Sequence, residues 1–365
     1  TSGAGVMNQH PLGEAVKLAT GFGLEVIPRK GNSRLWQDLL ERTTYVPYPY
    51  LPSNLDYELE YHSDKGGHWD DQSFLLRVAG NIVAAWPLTF SESEGKRAIT
   101  SCGSELLPPL FSASAPDSTK KKAVKRCYDF LEHIARRLDV KEFRSSELFL
   151  GAPGLGDWYM EGAHRGAVCD IRHDLYLNTQ QPIEDIAKGF RSTSNQSIRQ
   201  AADLWRYAIL PSADANSSSV WKEFEDLHLN VAGRKTRSEK SWRLQRDAIA
   251  TGTGMLVYLR DDANRMVGGG FFEFSKTEAN YSVAAYDRAL FGKPVGHLVQ
   301  WVAIQEFVKR GIEWYRIGGY PLATDKPVPT EKELSIGLFK KGFASHVFPR
   351  FILKHSISAV LATAS

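Results

Sequence analysis

The chain repeats one order of predicted secondary structure after about 183 residues. The pattern of each half predicts a β-hairpin, a strand, an amphipathic helix and a further strand. The hairpin turns lie at Gly80-Asn81 and near Asn264. The two turns are 183 residues apart (264 − 81). The third strands, which start at Lys96 and Ala279, are also 183 residues apart (279 − 96). Solenoid repeats have periods of ~20 to 50 residues, so this long period indicates two duplicated units.

The length of the chain agrees with two units. Its 365 residues exceed what one hydrophobic core usually organises, because a domain contains on the order of 150 residues. We predict a first domain at 25–178, a second at 179–365, and a disordered or tag-derived N-terminus at 1–24. Strands and helices occur in both halves, and two extra helices are predicted after Pro182, so the fold class is α+β.

The clearest helix of the first half is "DSTKKKAVKRCYDFLEHIARRLDV". Its apolar residues recur at spacings of three and four, which is the period of an amphipathic helix. They are Val124, Tyr128, Leu131, Ile134 and Leu138. The same pattern predicts a helix at "PVGHLVQWVAIQEFVKRG" in the second half, and "IEWYRIGG" after it is a predicted strand.

Composition excludes several classes of protein. The formal charge is only +3, with 45 Lys and Arg against 42 Asp and Glu, whereas proteins that bind the phosphate backbone concentrate positive charge on one face. The dense run "KKKAVKR" opens a predicted helix, where a solvated face is its ordinary role. We therefore expect no duplex nucleic acid as a partner. No window of 18 apolar residues occurs, so we also expect no membrane span.

The three cysteines give no sign of a disulfide framework or a zinc site. Cys102, Cys127 and Cys169 are an odd number in a long chain and lack CxxC or CxxH spacing. We therefore expect no metal and a reducing, cytoplasmic location.

A candidate anion site lies at "YDRALFGKPVGHLVQW". A predicted strand ends at Tyr286, and Arg288, Gly292, Lys293 and Gly296 lead into the next helix. The first turn of a helix presents unpaired N–H groups, which suits a phosphate. Glycines at a helix start are also common in ordinary turns, and this alternative stays open.

A second basic segment is "HLNVAGRKTRSEKSW". It places His228, Arg234, Lys235, Arg237 and Lys240 within thirteen residues. Such cations suit a carboxylate or phosphate, and His228 is a candidate general base. The alternatives are a solvated basic loop and a packed histidine.

Tyrosines and prolines alternate in "TTYVPYPYLPSNLDYELEYHS". The prolines exclude a central strand. Tyr45, Tyr48 and Tyr50 either line a groove or cover the edge of a core. No nucleophile elbow, zinc-protease, Walker or dinucleotide motif occurs.

Three segments carry a resemblance to a known family. They are "GIEWYRIGG" (311–319), "LFKKGF" (338–343) and "FRSTSNQSIRQA" (190–201). With the repeated element order, they resemble the FemABX family of peptidyl and acyl transferases and its BioF2-type relatives. This resemblance implies two tandem GNAT-like (acyl-CoA N-acyltransferase) domains with mixed central sheets flanked by helices. The loop "FGKPVGH" keeps two of the glycines of the usual acyl-CoA loop.

The resemblance also implies a reaction. A substrate amine attacks an activated acyl carbonyl through a tetrahedral oxyanion, which needs positioning, proton removal and a cation at the oxyanion. The family's FK-motif lysine maps to Lys340, with Lys341 as its neighbour. Asp71 or Asp70 is the expected base from the first unit, beside His228 from the second. The expected substrate-binding residues are Arg199, Arg234, Arg237, Tyr315 and Tyr48.

We therefore expect a cytoplasmic N-acyltransferase with a small-molecule acceptor. It takes an acyl group from acyl-CoA, which Arg288, Gly292, Lys293 and Gly296 bind, and transfers it to the amine of an amino-sugar nucleotide or cell-envelope precursor. One alternative is an aminoacyl-tRNA-dependent enzyme of peptidoglycan bridges, although the long helical arm of such enzymes is not visible in the sequence. The other alternative is a catalytically silent binding domain.

Overall fold

The computed structural model describes residues 15–357 of the chain, which form eleven α-helices and fifteen β-strands. The helices are α1 (Ala15–Gly21), α2 (Ser33–Glu41), α3 (Pro52–Ser63), α4 (Asp117–Arg137), α5 (Asp157–His164), α6 (Ile183–Gly189), α7 (Ser192–Leu204), α8 (Val220–Ala232), α9 (Glu239–Ala250), α10 (Gly296–Lys309) and α11 (Glu331–Lys341). In this part of the chain no helix is both long enough and apolar enough to cross a bilayer.

The strands belong to three sheets. They are β1 (Glu25–Pro28), β2 (His68–Asp71), β3 (Phe74–Val78), β4 (Asn81–Trp86), β5 (Thr89–Ser93), β6 (Lys96–Thr100), β7 (Leu110–Phe111), β8 (Glu142–Glu147), β9 (Val168–Asn178), β10 (Arg206–Ile209), β11 (Gly254–Arg260), β12 (Met266–Phe274), β13 (Glu278–Tyr286), β14 (Trp314–Gly319) and β15 (His346–Ser356). The largest sheet has the order β10-β11-β12-β13-β14-β9-β15-β8, and the smaller sheets are β1-β3-β4-β7 and β2-β5-β6.

Helix α4 illustrates how the sequence pattern becomes structure. Val124, Tyr128, Leu131, Ile134 and Leu138 are all buried, as their spacing predicts. They form one stripe that covers the first core, which confirms the predicted amphipathic helix.

The large sheet opens between β13 and β14. These two strands are parallel and pair only at Glu278–Asn280 with Trp314–Arg316. Beyond that point β13 follows β12 through a register shift that leaves Ser282 without an opposite residue, while β14 continues against β9. A bulge bends the strand that carries it, so the two strands separate and leave a gap beyond their paired residues.

The chain has two main apolar cores. The first surrounds Trp86 and Phe130, whose ring centres lie 6.2 Å apart, between β4 and α4. The second surrounds Phe272 and Phe307, 5.6 Å apart, between the large sheet and α10. A further cluster around Trp221 packs α8 and α9 on the opposite face of this sheet. Both faces of the second sheet are therefore covered.

The two halves are joined by backbone pairing as well as by side chains. Strand β15, near the end of the described chain, pairs with β8 of the first half on one side and with β9 on the other. In addition, the Val46 N–H donates to Thr277 Oγ1 at 2.8 Å, and Ser275 Oγ donates to the Val46 carbonyl at 2.6 Å. These buried contacts fix the first-half segment around Tyr48 against the second-half sheet.

Most predicted elements are confirmed, with three differences. The chain after Pro87 forms β5, which pairs with β2 and β6 and not with the β3–β4 hairpin. The segment "GAPGLGDW", which we predicted as a turn, ends in the first residues of α5. Of the N-terminal stretch expected to be disordered or tag-derived, residues 1–14 lie outside the described residues and 15–21 form α1. The domain boundary at residue 178 stays a prediction.

The attachment of α11 to the second core can be tested by one pair of substitutions. Phe343 is 1% exposed and belongs to that core, whereas Leu338 on α11 is 50% exposed. We expect Phe343→Ala to lower the free energy of unfolding by about 3–5 kcal/mol, because it leaves a cavity, and Leu338→Ala to change it by under about 0.5 kcal/mol. Urea denaturation measures both values, and equal losses would contradict this packing.

Candidate functional site

Lys340 lies in the last turn of α11, beside the gap between β13 and β14. The helix begins with a capping box between Thr330 and Glu333. The rings of Phe339 and Phe343 on either side of Lys340 pack against His297, at 5.0 Å and 5.8 Å between centres. These contacts fix the helix end and direct the lysine toward β14.

Gly318 makes room for the ammonium of Lys340. A Cβ atom at Gly318 would lie 2.5 Å from Lys340 Nζ, and the φ of this glycine is +134°, which side chains rarely adopt. Lys340 Nζ also lies 5.7 Å from the centre of the Tyr281 ring. The lysine is therefore held between the ends of the two separating strands.

The surroundings of Lys340 lower its pKa. Within residues 15–357 its Nζ makes no hydrogen bond and no ion pair. Burial and the charge of Arg316 together lower its pKa to about 8, and Asp174 opposes the shift. At neutral pH the side chain is an ammonium without a partner, available to a negative charge that develops in the gap.

Arg316 is the centre of the polar network beside Lys340. Its guanidinium donates to both carboxylate oxygens of Asp174 at 3.1–3.2 Å and to Asn280 Oδ1 at 3.0 Å. Arg350 Nε lies 3.3 Å from the same Asp174, which is 4% exposed. Asp174 thus links β9, β14 and β15, and its paired charges are compensated inside the protein.

The network continues from Arg316 to a buried carboxyl group. Asn280 Nδ2 donates to Ser282 Oγ at 3.0 Å, and Ser282 Oγ donates to Glu273 Oε2 at 3.0 Å. Glu273 Oε1 has no hydrogen-bond partner among the described residues. Burial raises the pKa of Glu273 to about 7, the hydrogen bond from Ser282 opposes the shift, and the charge of Glu58 adds to it. This carboxyl can accept or release a proton near neutral pH.

Glu278 connects the network to the first half of the chain. It accepts hydrogen bonds from the Tyr45 hydroxyl at 2.7 Å and from the Tyr48 N–H at 3.1 Å. Burial raises the pKa of Glu278 to about 7, and these two donors and the charge of Arg316 oppose the shift. The Arg316 guanidinium lies 6.0 Å from the centre of the Tyr48 ring, so one guanidinium faces both halves.

A polar cleft of about 120 Å³ lies between the halves at this network. The first half contributes Tyr48, Glu58 and Glu105, and the second contributes Glu278, Arg316 and Arg350. Three carboxyl groups and two guanidinium groups line the cleft, and buried Asp174 already pairs with both arginines. The cleft therefore suits a polar group that donates hydrogen bonds, such as an amine.

Comparison with solved structures identifies the architecture. The crystal structure of FemX superposes with a TM-score of 0.63 and 11% identity over 87% of this chain and 95% of that one. The chain has the FemX fold. It also matches the L-PGS of Bacillus licheniformis (TM-score 0.54, 10% identity, 88% and 90% covered) and a DUF2156 domain of a putative lysylphosphatidylglycerol synthetase from Agrobacterium fabrum (0.52, 13%, 94% and 91%).

These likenesses confirm the predicted α+β fold with two tandem GNAT-like units. No protein-family model matches the sequence, and no curated protein matches it. Over the described part of the FemX-like fold, no group of three or more His, Cys, Asp or Glu side chains is arranged to hold a metal ion.

Two of the predicted site residues meet at the network. Lys340 lies beside Arg316, and Tyr48 lines the cleft on its other side. Tyr315, the neighbour of Arg316, instead points to the opposite face of β14, where it is fully buried and donates to Gln300 Oε1 at 2.6 Å. The structure thus places Tyr315 in the core beneath α10.

His228 and Arg237 form a separate cluster. Arg237 Nη1 lies 3.1 Å from His228 Nε2, and Arg237 Nε donates to the Tyr57 hydroxyl at 2.9 Å. Burial lowers the pKa of His228 to about 4, with a further contribution from the charge of Arg237. His228 is therefore neutral at pH 7, and its ring packs against Trp242, 5.2 Å between centres. The cluster connects α3 with α8 and α9.

The other predicted residues lie apart from Lys340. Asp71 accepts from Arg29 Nη2 at 2.7 Å and from the Ser73 N–H at 3.0 Å, so its carboxylate has partners within the first half. Arg199 on α7 and Arg234 after α8 are exposed. Their roles in substrate binding, like that of Asp71 in proton transfer, stay predictions.

The predicted acyl-CoA loop leads to the N-terminus of α10. A Cβ atom at Gly292 would meet nothing within 4 Å, and Arg288 and Lys293 are exposed. Lys293 Nζ lies 5.8 Å from the centre of the Trp205 ring. At Gly296 the space is restricted, since a Cβ there would lie 3.1 Å from Phe339. The loop is thus open at Gly292, and at Gly296 there is no room for a side chain beside Phe339.

The residues of the network that we did not predict share one sequence signal. Glu273, Glu278, Asn280 and Arg316 are charged or amide residues within largely apolar strands, and Asp174 directly precedes the apolar run Leu175–Leu177 of β9. A polar side chain in such a strand needs a partner when it is buried, and five of them indicate one shared site. Their meeting depends on the strand order β12-β13-β14-β9, which sequence spacing does not reveal.

Adjacent glycines offer a matched test of the position of Lys340. We expect Gly318→Ala to lower the free energy of unfolding by about 1–3 kcal/mol, because the added methyl group meets Lys340 Nζ at a positive φ. Gly319→Ala is the control, since its Cβ would lie 4.0 Å from its nearest neighbour, Asp174 Oδ1. Urea denaturation measures both, and an effect at Gly319 equal to that at Gly318 would show that Lys340 does not occupy this position.

Proposed function

We propose that this protein is an N-acyltransferase whose acyl carbonyl is attacked in the gap between β13 and β14. The observation that carries the proposal is Lys340: a largely buried ammonium without a partner among residues 15–357, placed beside Arg316 at the end of the gap. A tetrahedral oxyanion needs such a preorganised cation, and an ammonium already paired with a carboxylate would be of little use to it.

The proposed donor is acyl-CoA. Gly292 and Lys293 give an open, basic approach to the first turn of α10, where N–H groups are available to a pyrophosphate. From there the gap between β13 and β14 leads toward Lys340. An acyl thioester extended along this path would bring its carbonyl to the lysine.

The proposed acceptor is the amine of an amino-sugar nucleotide or cell-envelope precursor, which enters through the polar cleft. An ammonium is attracted by the cleft carboxylates Glu58 and Glu105 but must lose a proton before it attacks. Glu273 supports this step, because its pKa is about 7 and hydrogen bonds through Ser282 and Asn280 connect it to Arg316, which lines the cleft. The neutral amine then forms the C–N bond, the C–S bond breaks, and the released thiolate takes up the second proton of the amine.

A second donor is supported by the likeness to FemX. In an aminoacyl-tRNA-dependent enzyme of peptidoglycan bridges, the same Lys340 would serve an ester carbonyl, and no thiol would be released. A catalytically silent binding domain is the remaining alternative. Incubation with acyl-CoA and with aminoacyl-tRNA, over amino-sugar nucleotides as acceptors, separates the three: thiol release supports the proposal, transfer from tRNA alone supports the second donor, and no transfer supports the third.

Substitution of Lys340 tests its proposed role directly. We expect Lys340→Met to lower kcat by about 10²–10³, which is the usual loss when one oxyanion donor is removed. Lys341→Met is the control, because the neighbouring side chain points in another direction along the helix. Equal losses in the two variants, or none at Lys340, would contradict the role.

The pH dependence of kcat follows from the two shifted groups. The carboxylate of Glu273 forms as pH rises through about 7, and the ammonium of Lys340 is lost as pH rises through about 8, so we expect a narrow optimum between these values. In Lys340→Arg the charge persists, so the alkaline limb should move above pH 10 even if kcat is lower. An unchanged alkaline limb in this variant would assign the limb to another group.

Charge reversal before α10 and at its last residue tests the donor loop. We expect Lys293→Glu to raise the KM for acyl-CoA about tenfold, because it replaces a favourable charge near a pyrophosphate. Lys309→Glu changes the same charge at the exposed C-terminal end of the helix and should leave this KM unchanged. Steady-state thiol release gives both values. Equal KM values in the two variants would place the pyrophosphate elsewhere.

A further inference from the structure

The amine of Lys340 has the surroundings of a nucleophile as well as those of a cation. Its side chain is only partly exposed, and within residues 15–357 its Nζ makes no hydrogen bond and no ion pair. Gly318 has no side chain that could cover it, since a Cβ there would lie 2.5 Å from Nζ. A lysine nitrogen in such a place keeps its lone pair available once it has lost a proton.

The charged and titratable groups that face Lys340 do not hold it as an ammonium. Arg316 on β14 repels the positive charge, and Asp174 on β9 attracts it but already pairs with Arg316. Burial raises the pKa of Tyr281 on β13 to about 12 and lowers that of His297 on α10, so both are neutral at pH 7. With a pKa of about 8, about a tenth of Lys340 is a neutral amine at pH 7 and about half at pH 8.

The position of Nζ suits attack on a carbonyl carbon as well as contact with its oxygen. Beyond Asn280 and Arg316 the strands β13 and β14 no longer pair, and Lys340 lies between their separating ends. The carbon and oxygen of a carbonyl are only ~1.2 Å apart, so an Nζ that reaches the oxygen also lies close to the carbon. The ammonium form stabilises an oxyanion there, whereas the neutral form is a nucleophile.

We propose that Lys340 is a site of self-acylation: without an acceptor amine, its Nζ attacks the thioester bound in the gap and becomes an amide. The reaction rests on the proposed function, since the donor must lie beside Lys340. The Nζ–C bond forms, the C–S bond breaks, and the proton that Nζ loses passes to the released thiolate. The amide has no charge, so each modified chain loses the cation of its proposed oxyanion site.

Incubation of the whole chain with acetyl-CoA, without any acceptor, tests the proposal by peptide mass spectrometry. Lys341 is the internal reference, because it follows Lys340 directly but points in another direction along the helix. We expect Lys340 to be acetylated at least tenfold faster than Lys341 at pH 7.5. The rate at Lys340 should rise with pH and reach half of its plateau near pH 8, because the neutral amine reacts. Equal rates at the two lysines would overturn the proposal.

A second thioester separates this inference from the proposed function. S-acetyl-N-acetylcysteamine has the reacting group of acetyl-CoA without its nucleotide. Fast acetylation of Lys340 by both compounds supports the inference and the proposed donor path. Fast acetylation by the small thioester alone supports the inference and contradicts the proposed binding of acyl-CoA. Transfer from acetyl-CoA to added amines, with Lys340 unmodified when no amine is present, overturns the inference and leaves the proposed function standing.

Three variants connect the modification to the position of Nζ. Gly318→Ala displaces Nζ and should slow the acetylation of Lys340 at least tenfold, whereas Gly319→Ala, whose Cβ would lie 4.0 Å from its nearest neighbour, should not. Lys341→Arg leaves Lys340 in place and should keep its full rate of acetylation. If Gly318→Ala fails to fold, the comparison of the two lysines in the unmodified sequence still decides. Equal rates in the two glycine variants, or loss of the reaction in Lys341→Arg, would contradict the proposal.

Discussion

The ion pair between Arg316 and Asp174 is the interaction on which the site depends. It joins β14 to β9, and through Asn280 and Arg350 it also reaches β13 and β15. Because the pair is largely buried, removal of either partner would leave an uncompensated charge inside the protein. The guanidinium faces Tyr48 of the first half on one side and lowers the pKa of Lys340 on the other. The Arg316 side chain therefore adds positive charge to the cleft, contacts both halves of the chain and lowers the pKa of Lys340.

The gap beside this pair follows from a small number of local features. The shift at Ser282 bends β13 away from β14, the capping box and the two phenylalanines of α11 fix the helix that brings in Lys340, and Gly318 leaves the space for its Nζ. Each feature is modest in energy, but together they hold an ammonium beside the guanidinium of Arg316. The same fold in FemX, at 11% identity, shows that this architecture does not need many particular residues.

The sequence predicted local structure well where it depends on short-range patterns. The stripe of α4 and the position of β14 follow from periodicity, whereas Lys340 was chosen through the family resemblance of its motif, and its role stays a prediction. The sequence did not predict the network, since Asp174 and Arg316 are 142 residues apart and meet only through strand pairing. The basic run around Arg237 attracted attention by its charge, yet its arginine packs against Tyr57 and His228, a contact that composition cannot distinguish from a ligand site.

The central claim is that Lys340 is a buried ammonium without a partner in the described chain, poised beside Arg316. A ¹³C NMR titration of the lysine Cε resonances, with the signal of Lys340 assigned by its loss in Lys340→Arg, measures the relevant pKa directly. The structure gives a value of about 8, below that of a solvated lysine, because burial and the neighbouring guanidinium disfavour the charge. A titration at about 10.4, the value of a solvated lysine, would contradict the account.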